Sequence, residues 1–457
     1  MSWTQQGAHW HRPLDSLDRF YQFVSAAGKP LNREHWLLVG VIRLEFPIGV
    51  DGGETRLRSA WKALRFRHPD IALELLENEK RYEPITSTEA LETWADSTFY
   101  IETAVSSADE HFSLNLKTGT ASATCHWIPA SGEVAIVSSH WRWDGRGLMM
   151  MMHEFLLCLG GQSSQPAPLS GTEARKLVPT LDLLVGTPVE GTDKEWPGLV
   201  DKLLAPLNEG SPSIGLPIIP DALPGNTRRI EAIIPRKGTA ALLTACRDRH
   251  IRLTAALHAS VVSETARYQQ STSSATARYK SWAVFDLRKY CPTPFDGPLH
   301  APSLRTIALP LSVDAKADWD TLAASIHSIY QQSFAPGRNS LMYLRVPYLE
   351  KATEILATAA PTTEPNLSNL GVMDDYVRKN YGDVTVRDAW LAVQMLSRQL
   401  YVHTWSWDGE LHLSISYNEA FYQADFVEKW LERLKNTLLT KLPGEDVVSS
   451  EGSISVT

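Results

Sequence analysis

The stretch that decides the fold runs Ser138-Ser139-His140-Trp141-Arg142-Trp143-Asp144-Gly145-Arg146-Gly147. Upstream of it, Glu133-Val134-Ala135-Ile136-Val137-Ser138 follows a Ser131-Gly132 turn and predicts a short buried strand. Downstream, Gly147 to Leu159 is apolar enough for a buried helix closed by Gly160-Gly161. A histidine and a carboxylate four positions apart therefore lie on a polar loop between a strand and a helix. The same HxxxD spacing recurs at His11 and Asp15, with Pro13 inside it and no strand signal before it, so context and not spacing distinguishes His140. Unpaired polar groups cost on the order of 1–3 kcal/mol each when buried. So polar a segment needs a reason to end a buried strand.

Acyl transfer from a thioester to an alcohol supplies one. It needs a base that takes the hydroxyl proton as the oxygen attacks, and neutral imidazole has a suitable pKa. His140 can act without a nucleophilic Ser or Cys, Asp144 can fix the loop, and Gly145 and Gly147 permit backbone conformations that side chains forbid. Other reaction classes lose ground: the chain has no GxSxG elbow, no GxxxxGK[ST] loop, no GxGxxG and no HExxH, Leu157 standing where the second His of His153-Glu154 would fall.

The 457 residues, 43% apolar and 21% charged, suit a globular protein of two or three domains. With 44 Lys and Arg against 52 Asp and Glu, a net charge of −8 offers no basic field for a nucleic acid or an anionic membrane. The four cysteines, Cys125, Cys158, Cys246 and Cys291, are too far apart for a disulfide scaffold or a CxxC pair, and the start shows no export signal. A cytoplasmic protein with no membrane span and no metal is expected. Fifteen tryptophans suit large apolar walls or cores.

Between Gly160 and Asn226 the sequence is rich in Gly, Pro and Ser, which predicts a long crossover. The division expected is 1–190 for an N-terminal domain carrying the His140 loop, 191–228 for a linker and 229–457 for a C-terminal domain, with helices and strands interleaved in both. Helices are predicted from Asp15, from Thr239, behind a Thr254 cap, through Leu322 to Tyr330, and behind an Asp425 cap as far as Leu438. Leu411, Leu413, Ile415 and Tyr417 alternate with His412, Ser414 and Ser416, the mark of a half-buried strand.

His140 to Gly145 resembles the HxxxDG signature of the chloramphenicol acetyltransferase-like superfamily, which contains the BAHD acyltransferases and peptide-synthetase condensation domains. Phe285-Asp286-Leu287-Arg288, Leu367-Ser368-Asn369-Leu370-Gly371 and the end from Gly409 to Leu438 resemble further segments of that family, in its order. The opening, Arg12-Pro13-Leu14-Asp15 with Asn32-Arg33-Glu34-His35-Trp36, looks like the fungal trichothecene 15-O-acetyltransferase group. The resemblance implies an α/β fold of two similar domains with a channel between them. It implies His140 as general base, acetyl-CoA as co-substrate with no bound cofactor, a small-molecule alcohol on a terpenoid-like metabolite as acceptor, and a monomer. It also implies a structural Asp144 paired with an Arg of the second domain, for which Arg288 is the candidate.

The BAHD string DFGWG is absent, the nearest match being Asp425-Phe426-Val427, and Ser139 stands where condensation domains carry a second histidine. A free-standing acyltransferase fits better than a condensation-like catalyst fed by a carrier protein, which is the alternative. For the oxyanion the family suggests donors close to the base, with Ser368 and Asn369 as candidates. Trp141 and Trp143 are candidates for channel walls. Met149 to Met152 read as helix interior, Trp405 and Trp407 as sheet packing, and His403 and His412 show no ligand pattern.

Overall fold

The computed structural model describes residues 2–442 apart from 48–52, 115, 117, 162–168, 187–193, 209–212, 220–221, 272–277, 298–299, 301–302, 336 and 338–339. The chain folds into two α/β lobes. A six-stranded mixed sheet organises the first, with Glu133–Ser138 in its interior between Leu38–Glu45 and Thr124–Ile128, antiparallel to both. Helix Gly145–Leu159 packs on this sheet, and Met149, Met150, Met151 and Met152 are all buried in its core. In the second lobe a four-stranded sheet runs Asn366–Val372, Tyr401–Trp407, Glu410–Asn418 and Thr227–Ile234.

The sheets do not respect a single cut in the sequence. After Asn366–Val372 the chain crosses to the first lobe, where Val384–Val393 pairs antiparallel with Leu38–Glu45, and then returns to pair Tyr401–Trp407 parallel with Asn366–Val372. A strand from the C-terminal half thus lies inside the N-terminal sheet. Within the 191–228 stretch, Trp196–Asn208 is a helix whose Trp196, Val200 and Leu204 are buried in a core shared by both halves. That shared core also holds Tyr21 and Trp141 from one side of the site and Leu287 from the other.

Local expectations differ in four places, each for a physical reason. Strand Glu410–Asn418 is buried on both faces, because neighbouring strands flank it and His412 lies against Trp405. The C-terminal helix, Ala424–Lys441, starts after Gln423, and Asp425 pairs with Lys429 one turn on instead of capping. Thr239 lies inside helix Arg236–Asp248, its hydroxyl donating to the Ile234 carbonyl. Thr254 lies in the first turn of Leu253–Ser271, where its hydroxyl accepts from the Asn369 amide. Among the described residues no helix is long and apolar enough to cross a membrane.

Candidate active site

The His140 loop leaves the first lobe's sheet at Ser138, and Asp144 ends it as the N-cap of helix Gly145–Leu159. The reason for its polarity is Arg142, which is 1% exposed. Its Nη1 donates to the carbonyls of Asp70 (3.1 Å) and Leu73 (2.6 Å), its Nη2 to that of Gly119 (2.7 Å) and its Nε to Ser138 Oγ (3.1 Å). Burial pulls its pKa down to about 9, which leaves it protonated at neutral pH. One buried cation thus nails the loop to neighbouring main chain. Gly119 is drawn so close that a Cβ there would lie 2.4 Å from the Ser139 nitrogen. Glu34 closes this network, accepting from Gly119 N–H (2.8 Å) and Ser139 Oγ (2.9 Å).

Asp144 makes two kinds of contact with one carboxylate. Oδ1 accepts from Gly147 N–H (2.8 Å), which caps the helix, and from Arg288 Nη2 (2.8 Å). Oδ2 accepts from Arg288 Nη1 (3.1 Å), Arg305 N–H (2.9 Å) and Thr306 Oγ1 (2.8 Å). The Arg288 charge and these donors overcome burial and hold the carboxyl down at about 2. Arg288 also reaches Asp286 (3.0 Å), which pairs with Arg146 of the same helix (3.0 Å). The loop and the second lobe are therefore locked through charge-assisted hydrogen bonds. Gly145 lies close to the second lobe: a Cβ there would sit 3.0 Å from Leu370 Cδ2 in strand Asn366–Val372, so that side chain would have to give by a few tenths of an ångström.

His140 itself is arranged differently. Its ring stacks on Tyr21, centroids 4.3 Å apart and planes 11° apart, with Trp36 at 6.0 Å. Nδ1 is buried and takes no partner from another described residue. Burial holds the ring neutral, its pKa pushed down to about 4, with its own main chain and the Asp144 charge opposing only in part. Asp144 is not hydrogen-bonded to it among the described residues; that carboxylate is taken up by Gly147 N–H and by the second lobe.

The second lobe completes the surroundings. Tyr401 lies edge-on to Trp36 (5.3 Å) and stacks on His403 (4.7 Å). His403 and His35 are near enough for their charges to repel that of His140, and both are held neutral, at about 3, chiefly by burial. The His35 tautomer is set by Leu396 N–H donating to its Nδ1, which leaves the proton on Nε2. Trp36 holds its place in a left-handed backbone conformation, φ 62°, rare for a bulky residue. The main chain fixes it there, Trp36 N–H donating to the Gln394 carbonyl (2.8 Å) and Gln394 N–H to the Leu37 carbonyl (2.9 Å).

The structure thus brings His140, Asp144, Gly145 and Arg288 together. Ser368 lies beside the Tyr401 phenol. Asn369 is occupied elsewhere, its amide on Thr254 Oγ1 (2.8 Å) and its carbonyl accepting from Gly371 N–H (2.9 Å). Trp141 and Trp143 are buried in two different cores, 4% and 0% exposed. Sequence reasoning missed Tyr21, His35, Trp36 and Tyr401 as site residues, and it set His403 aside. Only the Glu34-His35-Trp36 run carried a signal, as part of the family-like opening.

No protein-family profile matches the chain. Acetyltransferase pigO of Monascus ruber is 30% identical over 461 residues, covering 97% of this chain and 98% of pigO. O-acetyltransferase pigM of the same organism is 28% identical over 455 residues, covering 97% of this chain and 88% of pigM. Among solved structures, TRI3 trichothecene 15-O-acetyltransferase from Fusarium sporotrichioides superposes with a TM-score of 0.80, covering 96% of this chain and 97% of that one. At 15% sequence identity this is a likeness of fold.

Proposed function

Because the chain belongs to the family of fungal acetyltransferases that includes pigO, we propose that it transfers an acetyl group from acetyl-CoA to a hydroxyl of a polycyclic, trichothecene-like or other terpenoid metabolite, with His140 as the base. The observation that carries this reading is a neutral imidazole with no carboxylate partner among the described residues, set at the seam of the lobes among aromatic rings from both. A base must be unprotonated at working pH, and burial secures that for His140.

In this reading the acceptor hydroxyl gives its proton to His140 as its oxygen attacks the thioester carbonyl. The tetrahedral intermediate then collapses, the C–S bond breaks, and the thiolate takes the proton back from the imidazolium. Neither a covalent acyl-enzyme nor a metal enters the sequence. Asp144 and Arg288 position the loop. Tyr21, Trp36 and Tyr401 supply an apolar wall suited to a ring system, and Ser368, next to the Tyr401 hydroxyl, is the candidate oxyanion donor. One chain supplies all of these groups, so a monomer suffices.

The test offers the purified protein acetyl-CoA with a panel of sesquiterpenoid and other polycyclic alcohols and follows free thiol. Acceptor-dependent CoA release that disappears in His140→Ala supports the reading. Turnover only with a carrier-bound acyl group would replace it with a condensation-like one, and equal rates in both proteins would remove His140 as base.

A further inference from the structure

Away from the loop, at the outer edge of the six-stranded sheet, three side chains converge that the proposed reaction does not use. Glu102 follows the edge strand Phe99–Ile101, His126 lies in the neighbouring strand Thr124–Ile128, and His111 lies in the short helix Ala108–Ser113. One ligand atom from each can be chosen so that all three lie within 4.8 Å of one another. His111 is 5% exposed, and neither of its ring nitrogens has a hydrogen-bond partner among the described residues. A buried imidazole must carry an N–H and a lone pair, and leaving both unmatched is costly.

We propose that Glu102, His111 and His126 bind a divalent transition metal of the zinc class. Two imidazole nitrogens and one carboxylate oxygen are a zinc-type ligand set, which leaves a fourth position for water. Ligands of a tetrahedral ion with bonds of about 2.0–2.2 Å stand roughly 3.3–3.6 Å apart, so the wider gaps of the cluster close and its shortest one opens by less than about 1 Å around the ion. His126 Nδ1 and Glu102 Oε1 are already 2.8 Å apart, and the His111 and His126 rings are 4.6 Å apart between centroids. When Nδ1 of His126 ligates, its proton moves to Nε2, where Thr124 Oγ1 waits at 2.8 Å to accept it. That is the outer hydrogen bond a ligating histidine ordinarily keeps. The His126 and Glu102 side chains retain 12% and 26% exposure, a path for entry.

The site also has a structural consequence. Asp109, on the same helix as His111, receives Arg229 Nε (2.7 Å) and Nη2 (3.0 Å) from strand Thr227–Ile234 of the second lobe. A metal holding this helix to the sheet therefore stiffens a clasp between the lobes. The sequence expectation of no metal looked for ligand spacing such as CxxC or HExxH, which this set does not have.

The test strips the untagged, full-length protein with a chelator and titrates it with Co(II), read by visible absorption, then with Zn(II) in competition. One equivalent of Co(II) per chain, four-coordinate bands and a rise in the melting temperature with Zn(II) are expected. His111→Ala should weaken binding at least a hundredfold and abolish the rise. Glu102→Gln, at the more exposed ligand, should weaken it at least tenfold and serves if His111→Ala does not fold. Thr124→Val should cost about tenfold, the scale of an outer hydrogen bond. Failure of the wild type to bind one equivalent overturns the proposal. So does unchanged affinity in a folded His111→Ala or Glu102→Gln protein.

Discussion

The chain contains the same HxxxD spacing twice, and the two copies meet different ends. Asp15 and Asp144 do similar work: each caps a helix, Asp15 accepting from Asp18 N–H at 2.8 Å and Asp144 from Gly147 N–H at 2.8 Å. The histidines diverge. His11, on strand His9–Pro13, gives Nδ1 to Glu79 at 3.0 Å, whereas His140 stacks on Tyr21 and its Nδ1 meets no other described residue. Spacing thus selects the cap, and the surroundings decide whether the imidazole is tied to a carboxylate or left to take a proton. Asp144 carries a second load that Asp15 does not, the buried Arg288.

Substitutions at the paired positions test this contrast. The largest effect is expected for His140→Ala: loss of a general base lowers acetyl transfer by about 10²–10⁴-fold, with an unchanged melting curve. Asp144→Asn should act on stability, because it leaves the buried Arg288 with Asp286 as its remaining carboxylate partner among the described residues; breaking a buried pair costs up to about 3–5 kcal/mol, read by urea unfolding. Adding Arg288→Met to it should recover part of that loss, since both charges then leave the interior. Gly145→Ala should cost about 1–3 kcal/mol as the new methyl presses on Leu370. Asp15→Ala should cost only about 1 kcal/mol, the worth of a cap. His11→Ala, at a partly exposed pair, should change stability by less than about 1 kcal/mol and leave the transfer rate alone.

Acid stability offers a further check, with its sign fixed by direction. His35, His140 and His403 are held neutral when folded, their pKa values near 3, 4 and 3, against about 6.5 unfolded. Below pH 6.5 the unfolded chain takes up more protons, so stability is full above that pH and is lost as pH falls toward 4 and 3. Asp144, held at about 2, adds stability that is present above the unfolded carboxyl value and lost between about pH 4 and 2.

What was legible in the sequence follows from chain distance. The strand, loop and helix around His140 are contiguous, so periodicity and turn residues report them, and Phe285 to Arg288 is recognisable as a unit. Tyr401 and His403 reach the loop because Val384–Val393 crosses into the first sheet and Tyr401–Trp407 returns to the second, and Trp36 because Leu38 pairs with Ser138. No local pattern encodes that crossing. Arg142 reads as one more polar residue until its carbonyl acceptors, from two separate segments, are in place. Asn369 looks like a free donor in sequence because Thr254, its partner, lies 115 positions away.

The role of His140 as base is tested most directly by the pH dependence of kcat/KM with an accepted alcohol, each sample being returned to neutral pH afterwards to exclude denaturation. This quantity reports the free enzyme's base. A buried, neutral His140 acting as base predicts a rate that holds through pH 6 and declines with an apparent pKa near 4, where the imidazole becomes protonated. A reversible decline centred at 6.5 or above, or the same profile retained in His140→Ala, would contradict it.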